Sequence, residues 1–215
     1  MTIGKDIPIY QIAITGNEVS EYYSQKSIES FNKFGYYNIE RIEATTPENI
    51  PSFLNMGPRR KYTSKISREW SQEEIAIWYS HFSAWKKISQ PSIIIEHDCI
   101  LHKNIPDILF KRNLWSFGYT KFDDKSHRNS LAALAYFIKP SGAKKLMKEA
   151  LAYKGIWFPV DVHIHDYQRK GKDYWYQLGR MSKKNLDSYT CATHYINPDI
   201  GTSKPSMGKA KRFEK

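Results

Sequence analysis

The chain is poor in cysteine, in acid and in long apolar runs, and each shortage narrows what it can be. Two cysteines, Cys99 and Cys191, stand among 215 residues. They are far apart and match no CxxC spacing, which argues against a zinc ribbon or a disulfide framework and leaves two reduced thiols. No run approaches the roughly 18 apolar residues of a membrane-spanning helix. Met1 to Tyr10 mixes acid, base and proline, so no signal peptide is expected and a cytoplasmic setting is. Asp and Glu number 22 against 33 Lys and Arg, a formal net charge of +11. Such a balance favours an anionic partner: nucleic acid, an anionic membrane surface or a phosphorylated substrate.

The basic excess is uneven. Pro51 to Arg68 carries Arg59, Arg60, Lys61, Lys65 and Arg68 with no acid. A second cluster holds Arg169, Lys170, Lys172, Arg180, Lys183 and Lys184, and a third, in the tail, Lys204, Lys209, Lys211, Arg212 and Lys215. Each alone reads as a solvated face or an end; the three together point to an anion-facing surface. With 40% hydrophobic and 26% charged residues the composition is globular, and the length fits one sizeable domain.

Read in order, the chain begins with a strand at Ile7–Ile14, closed by Thr15-Gly16-Asn17. A helical pattern over Glu21–Phe34 places Tyr22, Ile28, Phe31 and Phe34 on or near one stripe, and Gly35 ends it. Asn38–Ala44 alternates like a second strand, which gives a βαβ unit and a right-handed crossover. Thr45–Arg68, with Pro47, Pro51 and Pro58, reads as a long loop. Ser71-Gln72-Glu73-Glu74 is a capping box, so Glu74 has a structural use at hand. The helix it opens carries Ile75, Trp78, Phe82 and Trp85 towards the core. Leu114–Tyr119 and Leu131–Ile138 read as strands, and Pro140-Ser141 opens a helix with Ala143, Leu146, Met147, Ala150 and Leu151 on one face. At Pro159–Asp166 an extended chain would align Asp161, His163 and His165, whereas a helix would pair Asp161 with His165.

The stretch around which these elements are arranged is Pro91-Ser92-Ile93-Ile94-Ile95-Glu96-His97-Asp98. Ile93–Ile95 read as a strand buried on both faces, as in a parallel sheet. Ligands of open α/β sheets bind beyond the carboxyl ends of the strands. Glu96 and Asp98, one residue apart at such an end, are either solvated turn residues or two oxygen donors for a hard divalent cation that also holds substrate phosphates.

Five blocks in this order resemble glycosyltransferase family 25, the lipopolysaccharide-biosynthesis group. Glu74-Ile75-Ala76 with Ser80-His81-Phe82-Ser83-Ala84-Trp85 is similar to its GEIGC-x-x-SH-x-x-x-W pattern, and Ile94-Ile95-Glu96-His97-Asp98 to its ILEDD. Ala135–Leu146 resembles aYliSr-x-GAkkLl, Pro159-Val160-Asp161 its PvD, and Asn197–Gly201 a late sDI segment. Three positions depart from the pattern. Ile14-Thr15-Gly16-Asn17 stands where the family has INL-x-x-R-x-x-R. Glu73 replaces a glycine, and His97 replaces the middle acid of EDD.

The resemblance implies a GT-A fold, a Rossmann-like α/β sandwich with a mainly parallel central sheet, over residues 1–202, with 203–215 as a basic tail. It implies a nucleotide-sugar donor, UDP-linked, and an Mn²⁺ or Mg²⁺ ion bridging the diphosphate to Glu96 and Asp98. The third metal ligand is a late histidine: His194 or, equally open, His163 or His165. Thr15 and His81 join Glu96 and Asp98 on the donor side, with His81 open to a purely structural reading. An inverting transfer needs a general base at the acceptor hydroxyl, and Asp161, with Glu74 behind it, is the candidate. Arg59, Arg60 and Lys61 are candidate contacts to an anionic acceptor. That acceptor is a saccharide of lipopolysaccharide or capsule or, alternatively, a hydroxymethylated base in DNA, which would have to leave the stack. A non-catalytic GT-A-like protein that binds nucleic acid or glycan is the further alternative.

Overall fold

A computed structural model describes residues 4–52, 56, 69–105, 113–116, 118–119, 133–152, 156, 159–161, 163–164 and 191–193. The expected domain boundary at 202, the tail, Arg59, Arg60, Lys61, His165 and His194 lie outside these residues. No helix among the described residues is long and apolar enough to cross a membrane.

The chain opens with strand β1 (Ile9–Ala13), all five residues of which are buried. Helix α1 (Glu18–Asn32) follows, capped by the Asn17 side chain, which accepts from the Ser20 amide at 2.9 Å. Gly35 then turns the chain at φ 82°, a conformation costly for any residue with a Cβ. β2 (Ile39–Glu43) returns beside β1, and a short 3-10 turn spans Pro47–Asn49. Helix α2 (Gln72–Lys87) leads into β3 (Ser92–Glu96). Beyond it come β4 (Cys99–Leu101), β5 (Leu114–Ser116), β6 (Gly118–Tyr119), β7 (Ala135–Ile138), helix α3 (Pro140–Ala150) and β8 (Cys191–Thr193).

Five strands form one sheet in the order β2-β1-β3-β7-β5, and β4-β8-β6 form a second. β1 pairs in parallel with both β2 and β3, whereas β7 runs antiparallel to β3 and to β5. The expectation of a mainly parallel sheet is therefore corrected to a mixed one. The cause is the route of the chain. It returns to the sheet as β7 from the same end at which β5 left it, so β7 must run against its neighbours. The coarse α/β class stands. The stretch expected as one strand over Leu114–Tyr119 is two strands in different sheets, and the strand expected from Leu131 begins at Ala135.

Both faces of the large sheet are covered. Ile93, Ile94 and Ile95 are each fully buried. Ile93 and Ile95 pack with Ile9, Phe31, Tyr36 and Phe137 on the α1 side. Ile94 packs with Tyr10, Ile12, Trp78, Trp85 and Tyr136 on the side of α2 and α3. α1 departs from the expected apolar stripe. Tyr22 is exposed, and the buried face is Val19, Ser20, Ser24, Ser27, Ser30 and Phe31. Small side chains let the helix approach the sheet closely, and most of these hydroxyls find partners. Ser24 Oγ donates to Gln11 Oε1 at 2.5 Å and Ser30 Oγ to the Ser27 carbonyl at 2.6 Å, while Ser20 Oγ accepts from the Ile14 amide at 2.9 Å. In α3 the expected face is buried at Ala143, Leu146 and Ala150, but Leu151, past its end, is exposed.

Candidate active site

The connection β1–α1–β2 leaves β1 on one side, and the chain then crosses to place β3 on the other. β1 and β3 are therefore parallel neighbours whose connections diverge, with α1 and α2 on opposite faces. A crevice forms beyond the carboxyl ends of two such strands. At the corresponding end of this sheet stand Ala13–Gly16 from the end of β1, Glu43–Thr45 from the end of β2 and Glu96–Asp98 from the end of β3. Ile12 and Glu96 are register partners, so Glu96 is the last sheet residue before the crevice and shares the α2 face with Ile12 and Ile94.

Glu96 is held there by a chain of polar side chains through the aromatic layer. Trp85 Nε1 donates to Tyr136 Oη at 2.8 Å. Tyr136 Oη lies 2.9 Å from His81 Nδ1, and His81 Nε2 lies 3.3 Å from Glu96 Oε1. Trp85 and Tyr136 are fully buried and His81 is 1% exposed, whereas the Glu96 side chain is 30% exposed. The series thus runs from the core to the edge of solvent. Burial, with the Glu96 carboxylate adding to it, pushes the Tyr136 phenol well above its ordinary value, against the opposing Trp85 bond. Tyr136 is therefore a neutral phenol with a proton to give. Four residues later on one helix puts Trp85 above His81, so both reach the same tyrosine. The neighbouring Ser80 turns elsewhere: its Oγ accepts from the Thr45 amide at 2.8 Å and donates to the Ala76 carbonyl at 2.9 Å. Consecutive residues of α2 thereby fix two rims of the crevice, the loop after β2 and the end of β3.

Asp98 sits differently. It is 6% exposed and lies close enough to the Tyr23 phenol of α1 to raise it, behind burial and Tyr22 in importance. Glu96 is thus gripped from α2 and Asp98 lies beside α1, the two helices covering opposite faces of the sheet. Between them, His97 Nε2 is buried without a hydrogen-bond partner among the described residues. Thr15 is engaged by Glu43: its amide donates to Glu43 Oε1 at 3.0 Å and its hydroxyl bonds the other carboxylate oxygen. The Gly16 amide donates to Glu21 Oε1 at 3.1 Å. Acidic side chains thus occupy the amides that an anionic ligand would meet at the end of β1. Arg41 clamps Glu21 with two bonds of 2.6 and 2.9 Å, and with the Gly16 amide it holds that carboxyl below its ordinary value.

Glu74 is 4% exposed, and its carboxylate accepts from the Ser71 amide at 3.2 Å while Ser71 Oγ accepts from the Glu74 amide at 3.2 Å. This is the expected capping box, and it places Glu74 at the start of α2, at the helix end opposite to Trp85. Asp161 is half-buried in a helical turn with Val160, His163 and Ile164, so the extended alignment of Asp161 with His163 does not arise. Val160 and Ile164 enter the α2-side core. The His163 ring meets Trp78 edge-on at 4.9 Å and its Nε2 is 3.7 Å from Glu149 Oε2. The ring of that histidine also lies 6.4 Å from the Trp85 ring, so its aromatic contacts are with the tryptophans of α2. Trp78 and Trp85 are fully buried, as their helical spacing predicts.

Sequence reasoning missed Tyr136 and Arg41. A tyrosine in the middle of the apolar run Leu131–Ile138 was the available signal, because a buried hydroxyl needs a partner. Arg41 gave no local signal, since its partner Glu21 is on another element. Among the described residues no group of three or more His, Cys, Asp or Glu side chains could hold a metal ion. No protein-family model matches this chain, and no curated protein matches it.

Proposed function

We propose that the chain is a metal-dependent inverting glycosyltransferase that moves a sugar from a UDP-linked donor to a hydroxyl of an anionic saccharide. The observation that carries this reading is the placement of Glu96: a partly exposed carboxylate, gripped from within the core, at the carboxyl end of a strand where the sheet connections diverge. The order of the five blocks that resemble glycosyltransferase family 25 supports it. An Mn²⁺ or Mg²⁺ ion fits this end of the site, because such ions need only one or two carboxylates beside substrate phosphates and water. Glu96 Oε2 has no bond among the described residues, and the more buried Asp98, which lies towards α1, would have to turn to the same side to become a second oxygen donor. Bound there, the ion would neutralise charge on the diphosphate leaving group. Asp161 accepts the proton of the attacking hydroxyl, and the basic excess of the chain draws in an anionic acceptor.

The test is thermal melting with UDP and UDP-sugars, with and without Mn²⁺, on the wild type and on Glu96→Ala. A ligand at about 100 times its Kd stabilises by roughly 2.7 kcal/mol. The expected result is an Mn²⁺-dependent shift that Glu96→Ala abolishes while Asp161→Asn keeps it and loses transfer. A shift that persists in Glu96→Ala would overturn the reading. Acceptor screens that set anionic glycans against DNA containing hydroxymethylated bases then separate the two acceptor classes.

A further inference from the structure

The hydrogen atoms of the buried polar chain can be assigned by counting donors. Trp85 Nε1 has only a hydrogen to give, so Tyr136 Oη accepts it. Tyr136 is neutral and fully buried, and among the described residues the one remaining atom placed to take its own hydrogen is His81 Nδ1, at 2.9 Å. His81 Nδ1 is then an acceptor, and the ring carries its hydrogen on Nε2, facing Glu96 Oε1 at 3.3 Å. The opposite tautomer fails at both ends. Nδ1–H would point a second donor at an oxygen already taken by Trp85 and leave the phenol hydrogen without an acceptor. A bare Nε2 would face a carboxylate lone pair. At 1% exposure His81 is shielded from bulk water, so its ring nitrogens depend on these neighbours.

We propose that Tyr136 and Trp85 are positioning residues that fix His81 as the Nε2–H tautomer and so hold the Glu96 carboxylate with Oε1 tied back and Oε2 turned to the ligand. The ligand-facing half rests on the reading of Glu96 given above. Because three of the four members are sealed in the core, the orientation of Glu96 is set before any ligand arrives. Residues that orient a metal-facing ligand in this way lower metal affinity about 10- to 100-fold when they are removed.

The first measurement needs no variant: long-range ¹H–¹⁵N spectra of the ¹⁵N-histidine-labelled full chain, with the His81 signals identified by their loss in His81→Gln. The expected pattern is a protonated Nε2 and an unprotonated, hydrogen-bonded Nδ1. An Nδ1–H ring or a doubly protonated ring at neutral pH overturns the proposal. In Tyr136→Phe the single-tautomer pattern should be lost while far-UV circular dichroism is kept. Mn²⁺–UDP binding by that variant should weaken at least about tenfold, with Trp85→Phe intermediate. Unchanged binding in a folded Tyr136→Phe also overturns it. A wild type that shows the Nε2–H tautomer but binds no Mn²⁺–UDP overturns the ligand-facing half together with the reading of function, whereas the wrong tautomer with intact Mn²⁺–UDP binding overturns this inference alone.

Discussion

The two faces of the large sheet solve the same packing problem with different chemistry. On the α1 side, serines and Gln11 lie against the strands; Gln11, Ser24 and Ser30 bond one another or nearby backbone, while Ser27 Oγ has no partner among the described residues. On the α2 side, Trp78, Tyr79, Phe82, Trp85 and Tyr136 fill the space, and Trp85 and Tyr136 are strung with His81 into one directed chain that ends at Glu96. The α1 face closes on itself. The α2 face delivers an oriented carboxylate to the crevice. Position in the sheet alone does not make a site; a carboxylate needs a rigid, polar-connected backing to be pre-set for a ligand.

The largest expected difference between the faces is in cavity cost. Trp78→Ala should destabilise by about 3–5 kcal/mol in chemical denaturation, since a fully buried indole leaves a void that its ring neighbours Trp85 and His163 cannot fill. A loss no larger than that of an average surface substitution would mean the aromatic layer is loosely packed. Next comes Gly142 in α3, on the same face. A Cβ there would stand 2.5 Å from the Asn113 carbonyl oxygen, a backbone atom. Gly142→Ala should therefore destabilise by about 1–3 kcal/mol through overpacking. Helix propensity alone would have it stabilise by about 1 kcal/mol, so the sign decides.

On the α1 face the effects should be smaller and should cancel. Ser24→Ala is expected to cost about 1 kcal/mol, because the Gln11 carbonyl oxygen loses its buried donor. Adding Gln11→Leu should recover most of it, and a double-mutant cycle measures the coupling. Additive losses would break the picture of a self-contained polar pair. The smallest effect belongs to the rim. The Glu21 carboxyl is held below its ordinary 4.5 by Arg41 and the Gly16 amide. Its contribution is present above that value and fades as pH falls through the acid range below it. Stability profiles of Glu21→Gln should be flatter there than those of wild type, and the difference should shrink in high salt, since the pair is partly exposed.

Much of the fold was legible, and the failures have physical causes. β1, β2, β3 and the α2 capping box announce themselves through alternation, β-branched runs and a Ser–Glu spacing that reports on local hydrogen bonds. The buried face of α1 was hidden because Ser20, Ser24, Ser27 and Ser30 count as polar in any hydropathy pattern, yet small hydroxyls with near partners are cheap to bury. The direction of β7 was hidden because a strand covered on both faces looks the same in either sense. At the site, Glu96 and His81 stood out through their setting. Their connection through Tyr136 did not, because it joins residues more than fifty positions apart along the chain. Thr15 drew attention as the end of the first strand, but nothing local said that Glu43 would take its donors.

The strand order also sets a sequence of events in assembly. β1 can pair with β2 as soon as α1 has formed, but β3 joins the other edge of β1 only after the chain has travelled to Ile93, and β4 waits for β8 at Cys191. Contacts this remote in sequence make for slow closure. During synthesis the β1–β2 pair stands with an open edge on β1 until Ile93 emerges, and β4 has no partner until the last stretch appears. Glu96, at the joint between the two sheets, is among the late residues to reach its final setting. A nascent chain of this protein therefore has its β1–α1–β2 unit early, and the Glu96 carboxylate settles only once Tyr136 has arrived.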